Sequence, residues 1–585
     1  MGIVKLKKVT LYGLTEEKKA VLSDLQGLGC LHIIPLQKKA ETGEGLKSDS
    51  SANEALKYLL NCPQKRRQIM MPHHFDALSV EKEVLEIRDR TLELEDERDF
   101  LQHRIEQLKP FGYFDYSPLE ELNHLRLWFY VLPHYRLKSI PEDLAWEVVK
   151  RDTRSSYVVV ISGEEPQNMP GPRVHVGSRP LAELEAHLEE VLMEIEDLQA
   201  RRVSLTRWNQ LFLSRLHELE NAEVLYKVAG QTYDESLLFA MQAWIPVEQL
   251  PELKEYAKEN GLALLIEHPS PEETPPTLLK NPSRIASGQD LLSFYMTPNY
   301  WLSDPSPVIF FSFIVFFAMI MSDAGYGVLL SIIALAFWKR MGKTPMGRRL
   351  RILFAALSAG TILWGILVGS YFGYSPPSGS ALAYVQLFDL KNFEGMMALT
   401  IIIGSIQVII GNLYAAWQRR PSLSMLAPIG WILVIIGGLV VGFNGGMEGS
   451  RGTIGTGLLI AGGVLILGFA GAGKPFLKWL MAGFQDVTRL TSAFGDILSY
   501  LRLFALGLAS SSLAIAFNGL AQQAYESSAS MGILFALLIL LIGHFLNFIL
   551  CLVSSVVHGL RLNLIEFLNW STPEEGVPFK PFRKK

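Results

Sequence analysis

Cysteine is scarce: Cys30, Cys62 and Cys551 are the only three in 585 residues. They are widely spaced and form neither a CxxC pair nor a zinc-ligand pattern, which excludes a secreted disulfide scaffold and a structural zinc site. The N-terminal stretch, residues 1–35, lacks an apolar run long enough for a signal peptide, so the first 304 residues are expected to stay in the cytoplasm. Gly2 follows the initiator, but Leu6 stands where an N-myristoylation motif needs Ser or Thr. Charge is scarce in one half only. Up to Asp304 there are 35 Lys+Arg against 48 Asp+Glu, and from Pro305 onward 19 against 10. An acidic first half argues against nucleic acid, which wants a basic patch. A second half so poor in charge and rich in apolar residues excludes both a purely soluble protein and a disordered one.

The first half reads as a rod with lobes. Residues 1–36 alternate apolar and charged (Ile3, Val4, Leu6, Val9, Leu11) and turn helical from Glu16 to Leu28. A matching strand–helix–strand follows much later, at 239–246, 247–260 and 262–266. These pieces are expected to form one α/β proximal lobe from 1–50 and 230–270. Between them lie two heptad segments. The first carries Val80, Val84, Ile87, Thr91, Leu94, Arg98, Leu101, Ile105 and Leu108. The second carries Leu181, Leu184, Leu188, Val191, Ile195, Leu198, Arg202, Leu205, Asn209, Phe212, Leu216 and Leu219. A sustained 3.5-residue repeat predicts an antiparallel coiled coil, 79–109 against 180–225. Strand-like runs at 127–132 and 157–161 place a distal lobe at 110–178. A generic spacer and a docking arm are equally compatible with the pattern. His73-His74 reads as a solvated pair on a Pro-flanked loop, and neither a nucleophile constellation nor a metal cluster is evident in this half.

Residues 305–585 read as an α-helical polytopic membrane domain. Eight apolar spans are expected at 306–320, 325–338, 352–374, 398–417, 425–443, 453–470, 482–517 and 532–567; the first two are short enough for a re-entrant pair. Loops carrying Lys339, Arg340, Lys343, Arg348, Arg349 and Arg351, then Arg419 and Arg420, then Lys474 and Lys478, and the tail with Lys580, Arg583, Lys584 and Lys585 lie on one side. The alternate loops hold only Lys391 and Arg451. By the positive-inside rule both termini are cytoplasmic. As one helix, 482–517 would run ~54 Å against a core of about 30 Å, which calls for strong tilt.

The last two spans carry the least comfortable charges. Arg502 and Arg561 sit among apolar residues, where a central guanidinium costs at least ~2.5–3.5 kcal/mol and cannot shed its proton. His544, Asn547, Cys551, Ser554, His558 and Arg561 recur at 3-4-3-4-3 and form one polar seam. The preceding span has a small and polar face, Ser492, Gly495, Ser499, Arg502, Ala505 and Ala509, which lets a partner helix come close. Snorkelling or a structural ion pair is the bland reading of each arginine, with Glu566 the natural partner of Arg561. Residues 468–474 fit GxxxxGK, but Pro475 follows and an apolar span precedes, so no phosphate loop is expected.

Ser499-Tyr500-Leu501-Arg502-Leu503-Phe504-Ala505-Leu506, with His558-Gly559-Leu560-Arg561-Leu562, resembles the signature of the membrane stator subunit of V/A-type rotary ATPases, subunit I of prokaryotes and subunit a of the eukaryotic vacuolar enzyme. Ser322-Asp323-Ala324-Gly325-Tyr326-Gly327 is similar to that family's first-span motif. The resemblance implies a non-catalytic subunit, without cofactor or metal, of an H⁺- or Na⁺-translocating complex in a prokaryotic plasma membrane. It implies a proteolipid rotor ring facing Arg502 across Gly495, Ala505 and Ala509, with Arg561 assisting. Ser499, His544, Asn547, Ser554, His558, Asp496 and Glu566 would line two half-channels, with Asp486 a further acid near the lanes. Peripheral stalk coiled-coil subunits and a central-stalk or rotor-cap subunit would be partners, and membrane lipid would surround the spans. In the eukaryotic pattern an acid lies ten residues before the second arginine and a His eight after the first; here these are Cys551 and Ser510. A secondary transporter with a regulatory coiled coil is the alternative, but no repeat relates spans 1–4 to 5–8. A scaffold without transport leaves Arg502 and the seam unexplained.

Overall fold

The computed structural model describes residues 2–37, 50–71, 75–113, 125–153, 155–167, 169–175, 179–377, 379–389, 392–473, 475–527, 531–571 and 574–584. His73, His74, Lys391, Lys474 and Lys585 lie outside the described residues. The first elements are β1 Leu6–Leu14, α1 Lys18–Leu28, β2 His32–Ile34, α2 Ser50–Leu60, α3 Ala77–Leu108, β3 Arg126–Pro133, β4 Ala145–Arg151, β5 Ser155–Ser162 and β6 Arg173–Val174. Then come α4 Leu181–Leu205, α5 Asn209–Ala229, β7 Tyr233–Glu235, β8 Leu238–Pro246, α6 Leu250–Glu259, β9 Ala263–Glu267 and α7 Ala286–Tyr295. The remaining helices are α8 Ser306–Met321, α9 Ala324–Ala336, α10 Trp338–Met341, α11 Pro345–Val368, α12 Ala381–Val385, α13 Phe393–Gln418, α14 Leu426–Phe443, α15 Gly449–Phe469, α16 Phe476–Ser499, α17 Leu501–Ser527, α18 Gly532–Arg561 and α19 Leu568–Ser571. The chain divides into two compact units, one of 1–17, 28–36 and 233–582, the other of 18–27, 37–232 and 583–585.

In the first unit, β1 pairs antiparallel with β8 over its whole length, Leu6 opposite Pro246 and Leu14 opposite Leu238. Strand order is β2-β8-β1-β9, with β7 beside β8. Val9, Leu11, Phe239, Met241 and Ala243 are buried in this sheet, so alternating residues more than 200 positions apart share one core.

In the second unit, α3 meets α4 through Leu94, Leu101, Ile105 and Leu108 against Leu181, Leu184, Val191 and Ile195. Arg90 reaches Glu194 with two nitrogens at 2.8 and 3.2 Å, and His187 lies 2.9 Å from Glu97. The heptad misfits have local explanations. Thr91 returns its hydroxyl to the Ile87 carbonyl, and Arg98 turns out to Asp99. Arg202 donates to the Tyr58 carbonyl and stacks 3.7 Å over that ring. Two features depart from the sequence expectation. Helix α2 packs Ala52, Ala55, Leu56 and Leu59 against Val80, Val84, Ile87, Phe212 and Leu216, although it was not foreseen. The helix expected over 181–219 is interrupted by a 3₁₀ turn at Thr206–Trp208. Gln68 donates to the Thr206 carbonyl and the Arg66 amide to its hydroxyl, drawing that turn off the helical ladder. The strands between the long helices form a second antiparallel sheet, β4-β5-β3-β6.

From Ser306 onward the chain is a multi-pass membrane protein. Among the described residues six helical stretches, α11, α13, α14, α15, α16 with α17, and α18 running on to Ser571, are long and apolar enough to cross a bilayer; α8 and α9 are shorter. The α8–α9 break is built rather than frayed: Ser322 sits at φ 47° and Asp323 caps α9 through the Tyr326 amide. Helices α14 and α15 touch backbone to backbone at Gly430/Gly462 and Gly437/Gly455, where an added Cβ would meet a carbonyl oxygen at 2.6–3.1 Å. Small residues permit such approach in a bilayer, where dispersion must replace the hydrophobic effect.

The single tilted helix expected over 482–517 is corrected. Helices α16 and α17 meet at a break on Tyr500, whose carbonyl takes an i→i+3 bond from Leu503. The Tyr500 ring is fully buried against Phe316, and Gly404 leaves room for it. The two pieces each run ~36–40 Å, each long enough to cross the core.

Candidate functional site

Two polar clusters occupy α18 and its neighbours. The first surrounds Asp323, which is 1% exposed. Its carboxylate accepts from the Ser370 hydroxyl at 2.7 Å, from the Phe372 and Gly373 amides at 2.9 Å each, and from the Tyr326 amide at 3.1 Å. Four donors on one buried carboxylate meet its need for compensation. The same turn buries the Tyr326 side chain, whose hydroxyl lies 2.9 Å from His544 Nδ1 and accepts from Asn547 at 2.9 Å. Asn547 also donates to the Ser510 carbonyl, and His544 Nε2 lies 3.0 Å from Asn518 Oδ1. Cys551 reaches Ser510 Oγ at 2.8 Å. A continuous polar chain therefore runs Asn518, His544, Tyr326, Asn547, Ser510, Cys551. Ser510 and Cys551, the two positions that depart from the eukaryotic pattern, are in contact with each other.

The second cluster surrounds Arg502 and is incompletely satisfied. Arg502 is half-buried, and one terminal guanidinium nitrogen is buried without a partner. Glu566 Oε2 and His558 Nδ1 are also buried and unpartnered. Both arginines lie within electrostatic range of His558 and Glu566. Arg561 approaches Glu566 at 3.8 Å while its side chain stays 55% exposed, against 5% for Glu566. A six-residue π-helical stretch, Leu562–Phe567, follows α18 and turns Glu566 inward; such a bulge is common at functional sites. Within that stretch Asn563 accepts from Ser312 of α8 and Gln407 of α13 and donates to the Gly559 carbonyl of α18.

The expected seam thus divides. His544, Asn547 and Cys551 join the first cluster, while His558 and Arg561 join the second. The 14 residues from His544 to His558 correspond to ~21 Å along the helix. Ser554 is half-buried between them, beside a fully buried Ser555. Asp496 is held by the Trp570 indole at 2.8 Å, and Ser499 returns its hydroxyl to the Asp496 carbonyl. Gly495, Ala505 and Ala509 are exposed, and an added Cβ on Gly495 would meet nothing within 4 Å. Sequence reasoning missed the roles of Asp323, Tyr326, Ser510 and Asn518; the first two lie in the quoted 322–327 motif, which was the available signal. Among the described residues no group of three or more His, Cys, Asp or Glu could hold a metal ion.

The decisive comparison is with a protein of Borreliella burgdorferi named V-type ATP synthase subunit I, 26% identical over the whole of this chain and 99% of its own length. The chain is similar to proteins named subunit I. A V-type ATP synthase subunit I 1 of Treponema pallidum aligns over all of both chains at 25% identity. An A-type ATP synthase subunit I of Methanocaldococcus jannaschii is 29% identical over 69% of this chain and 64% of its own. No family model matches. A crystal structure of the cytoplasmic N-terminal domain of a subunit I covers 44% of this chain and 99% of its own at 16% identity, with a TM-score of 0.22, a likeness too slight to bear on the fold.

Proposed function

We propose that this chain is the non-catalytic membrane stator subunit of a V/A-type rotary ATPase, translocating H⁺ or Na⁺. The observation that carries the reading is Arg502. It is a permanent cation inside an apolar span, with one buried nitrogen unpartnered, on a helix whose small residues Ala505 and Ala509 stay open. A cation left unsatisfied at that depth is costly unless a carboxylate arrives from another chain. A rotor ring carrying one buried carboxylate per subunit would supply it. Facing Arg502, that carboxylate favours its ionised form and releases its ion; the same cation bars ions from crossing directly.

The Arg502–His558–Glu566–Arg561 cluster then serves the half-channel on the cytoplasmic side, as the positive-inside reading orients the chain. The chain from Asn518 to Cys551 serves the opposite one, with Ser554 between. The long helices α3 and α4 and their sheets dock peripheral stalk subunits, and a central-stalk or rotor-cap subunit completes the complex. ATP chemistry belongs to other chains. Against a secondary transporter stands the open small face, which wants a close helical partner rather than a second half of the same chain. Cysteine in place of Ala505, oxidised against a cysteine beside the rotor carboxylate in the assembled complex, should cross-link. Cross-linking from the α15 position Ile460→Cys instead would sink the assignment of the rotor face.

A further inference from the structure

A cavity of about 190 Å³ with a mixed polar and apolar lining opens beside the end of α13, the first turns of α14, the middle of α16 and α19, lined among others by Gln418, Arg419, Trp431, Asp486, Arg489 and Glu574. Its α16 residues, Asp486 and Arg489, lie 13 or more residues before Arg502, and Trp570 in its wall also donates to Asp496. Two of its lining donors, Gln418 Nε2 and Trp431 Nε1, are buried and have no acceptor among the described residues. A buried donor left unmade is costly, and two in one wall ask for an acceptor from outside. Arg489 is held in place by stacking 5.0 Å over Trp570, by Asp486 at 3.6 Å and by the Asn569 carbonyl at 3.4 Å. Arg419 adds a second guanidinium to the wall. Such a set suits a phosphate diester.

On its other side Trp431 lines a second, larger cavity, of about 410 Å³, that is almost wholly apolar. Its walls include Val434, Gly438 and Gly442 of α14 and Phe494 and Leu498 of α16. From Trp431 to Phe443 it follows α14 for ~18 Å, about the depth of one bilayer leaflet. An added Cβ on Gly438 or Gly442 would meet nothing within 4 Å, so the groove is open along its floor. A pocket with unmet hydrogen-bond donors beside an apolar groove of leaflet depth, the two sharing Trp431 in their walls, matches an amphiphile with a phosphate head and an acyl tail.

We propose that this double cavity holds one glycerophospholipid, its phosphate against Gln418, Arg419 and Trp431 and one acyl chain in the α14–α16 groove. Asp486 and Glu574 balance the two arginines in the wall, so a headgroup bearing an ammonium fits better than a purely anionic one. The lipid would fill the gap between α14 and α16 and so brace the helix that leads into Arg502.

The test uses the full-length protein in its assembled complex, exchanged into lipid-free detergent and examined by native mass spectrometry after incubation with phosphatidylethanolamine or phosphatidylglycerol. One phosphatidylethanolamine should stay bound per chain. Arg419→Gln should lower its occupancy about tenfold or more, as loss of one charge-assisted hydrogen bond implies. Gly438→Leu, which fills the groove without touching the head pocket, should lower it comparably while the complex stays assembled. Inorganic phosphate alone, followed by ³¹P NMR, should bind far more weakly than the lipid. The proposal is overturned if neither variant changes lipid retention, if the wild type retains none, or if free phosphate binds as tightly as the lipid. Equal retention of phosphatidylglycerol would overturn the headgroup assignment.

Discussion

The two polar clusters on α18 use similar residue types and end in opposite states. Around Asp323 every buried oxygen of the carboxylate is matched, by Ser370, Phe372, Gly373 and Tyr326. Around Arg502, a guanidinium nitrogen, an imidazole nitrogen and a carboxylate oxygen are buried without partners. Low dielectric raises the stakes for both. A satisfied network fixes helices in place, and here it pins the α8–α9 break to the 370–373 turn and to α18. An unsatisfied one costs stability and persists only if something outside the chain completes it. The comparison separates polar groups that are satisfied within the chain from those that, on the proposed function, await a moving partner.

Breaking the satisfied side should have the largest effect. Asp323→Ala strands the Phe372 and Gly373 amides and the Ser370 hydroxyl, and is expected to cost roughly 3–5 kcal/mol. Loss of assembled complex, or a thermal unfolding midpoint far below wild type, would be the readout. Unchanged unfolding would mean that the carboxylate is not structural. Asn547→Leu removes the donor to Tyr326 and to the Ser510 carbonyl, for about 1–3 kcal/mol by the same measurement. Arg502→Met removes an unsatisfied cation, so unfolding should be unchanged or slightly later than wild type; a clear fall would place Arg502 among the structural groups.

A small effect belongs to a partly exposed pair outside the membrane spans, which calibrates the other three. Lys8 donates to Glu273 at 2.6 Å, and with the Ser270 amide holds its carboxyl below the ordinary 4.5. A depressed folded value means that the contribution is full above the unfolded value and fades as pH falls through the folded one. Glu273→Gln should therefore cost under about 1 kcal/mol at pH 7, and that cost should fade as pH falls through the depressed folded value. A pH-independent cost would show that the pair does not act through charge.

Periodicity carried the long elements well, because a heptad or an apolar run is repeated often enough to outweigh single exceptions. The α3–α4 interface, β1, β8, β9 and the apolar spans follow from it. What escaped was set by single contacts distant in sequence. The turn at Thr206 answers to Gln68, and the break at Tyr500 to Phe316 and Gly404, neither of which any local window contains. Arg502, Arg561 and Glu566 were legible as charges in the wrong solvent. Asp323 and Tyr326 were visible only as a motif, since their partners lie near residue 372 and on α18. The 3-4 spacing of the seam was a true helical register, but register does not report where along a helix the neighbours change.

The central claim is that Arg502 acts on a moving carboxylate while holding nothing in this chain together. ATP-driven ion uptake into vesicles bearing the assembled complex with Arg502→Lys tests it most directly. A lysine keeps the charge but loses the planar, permanently protonated fork. The account predicts that the complex assembles with normal thermal stability and that uptake falls to background; uptake near the wild-type rate would contradict it.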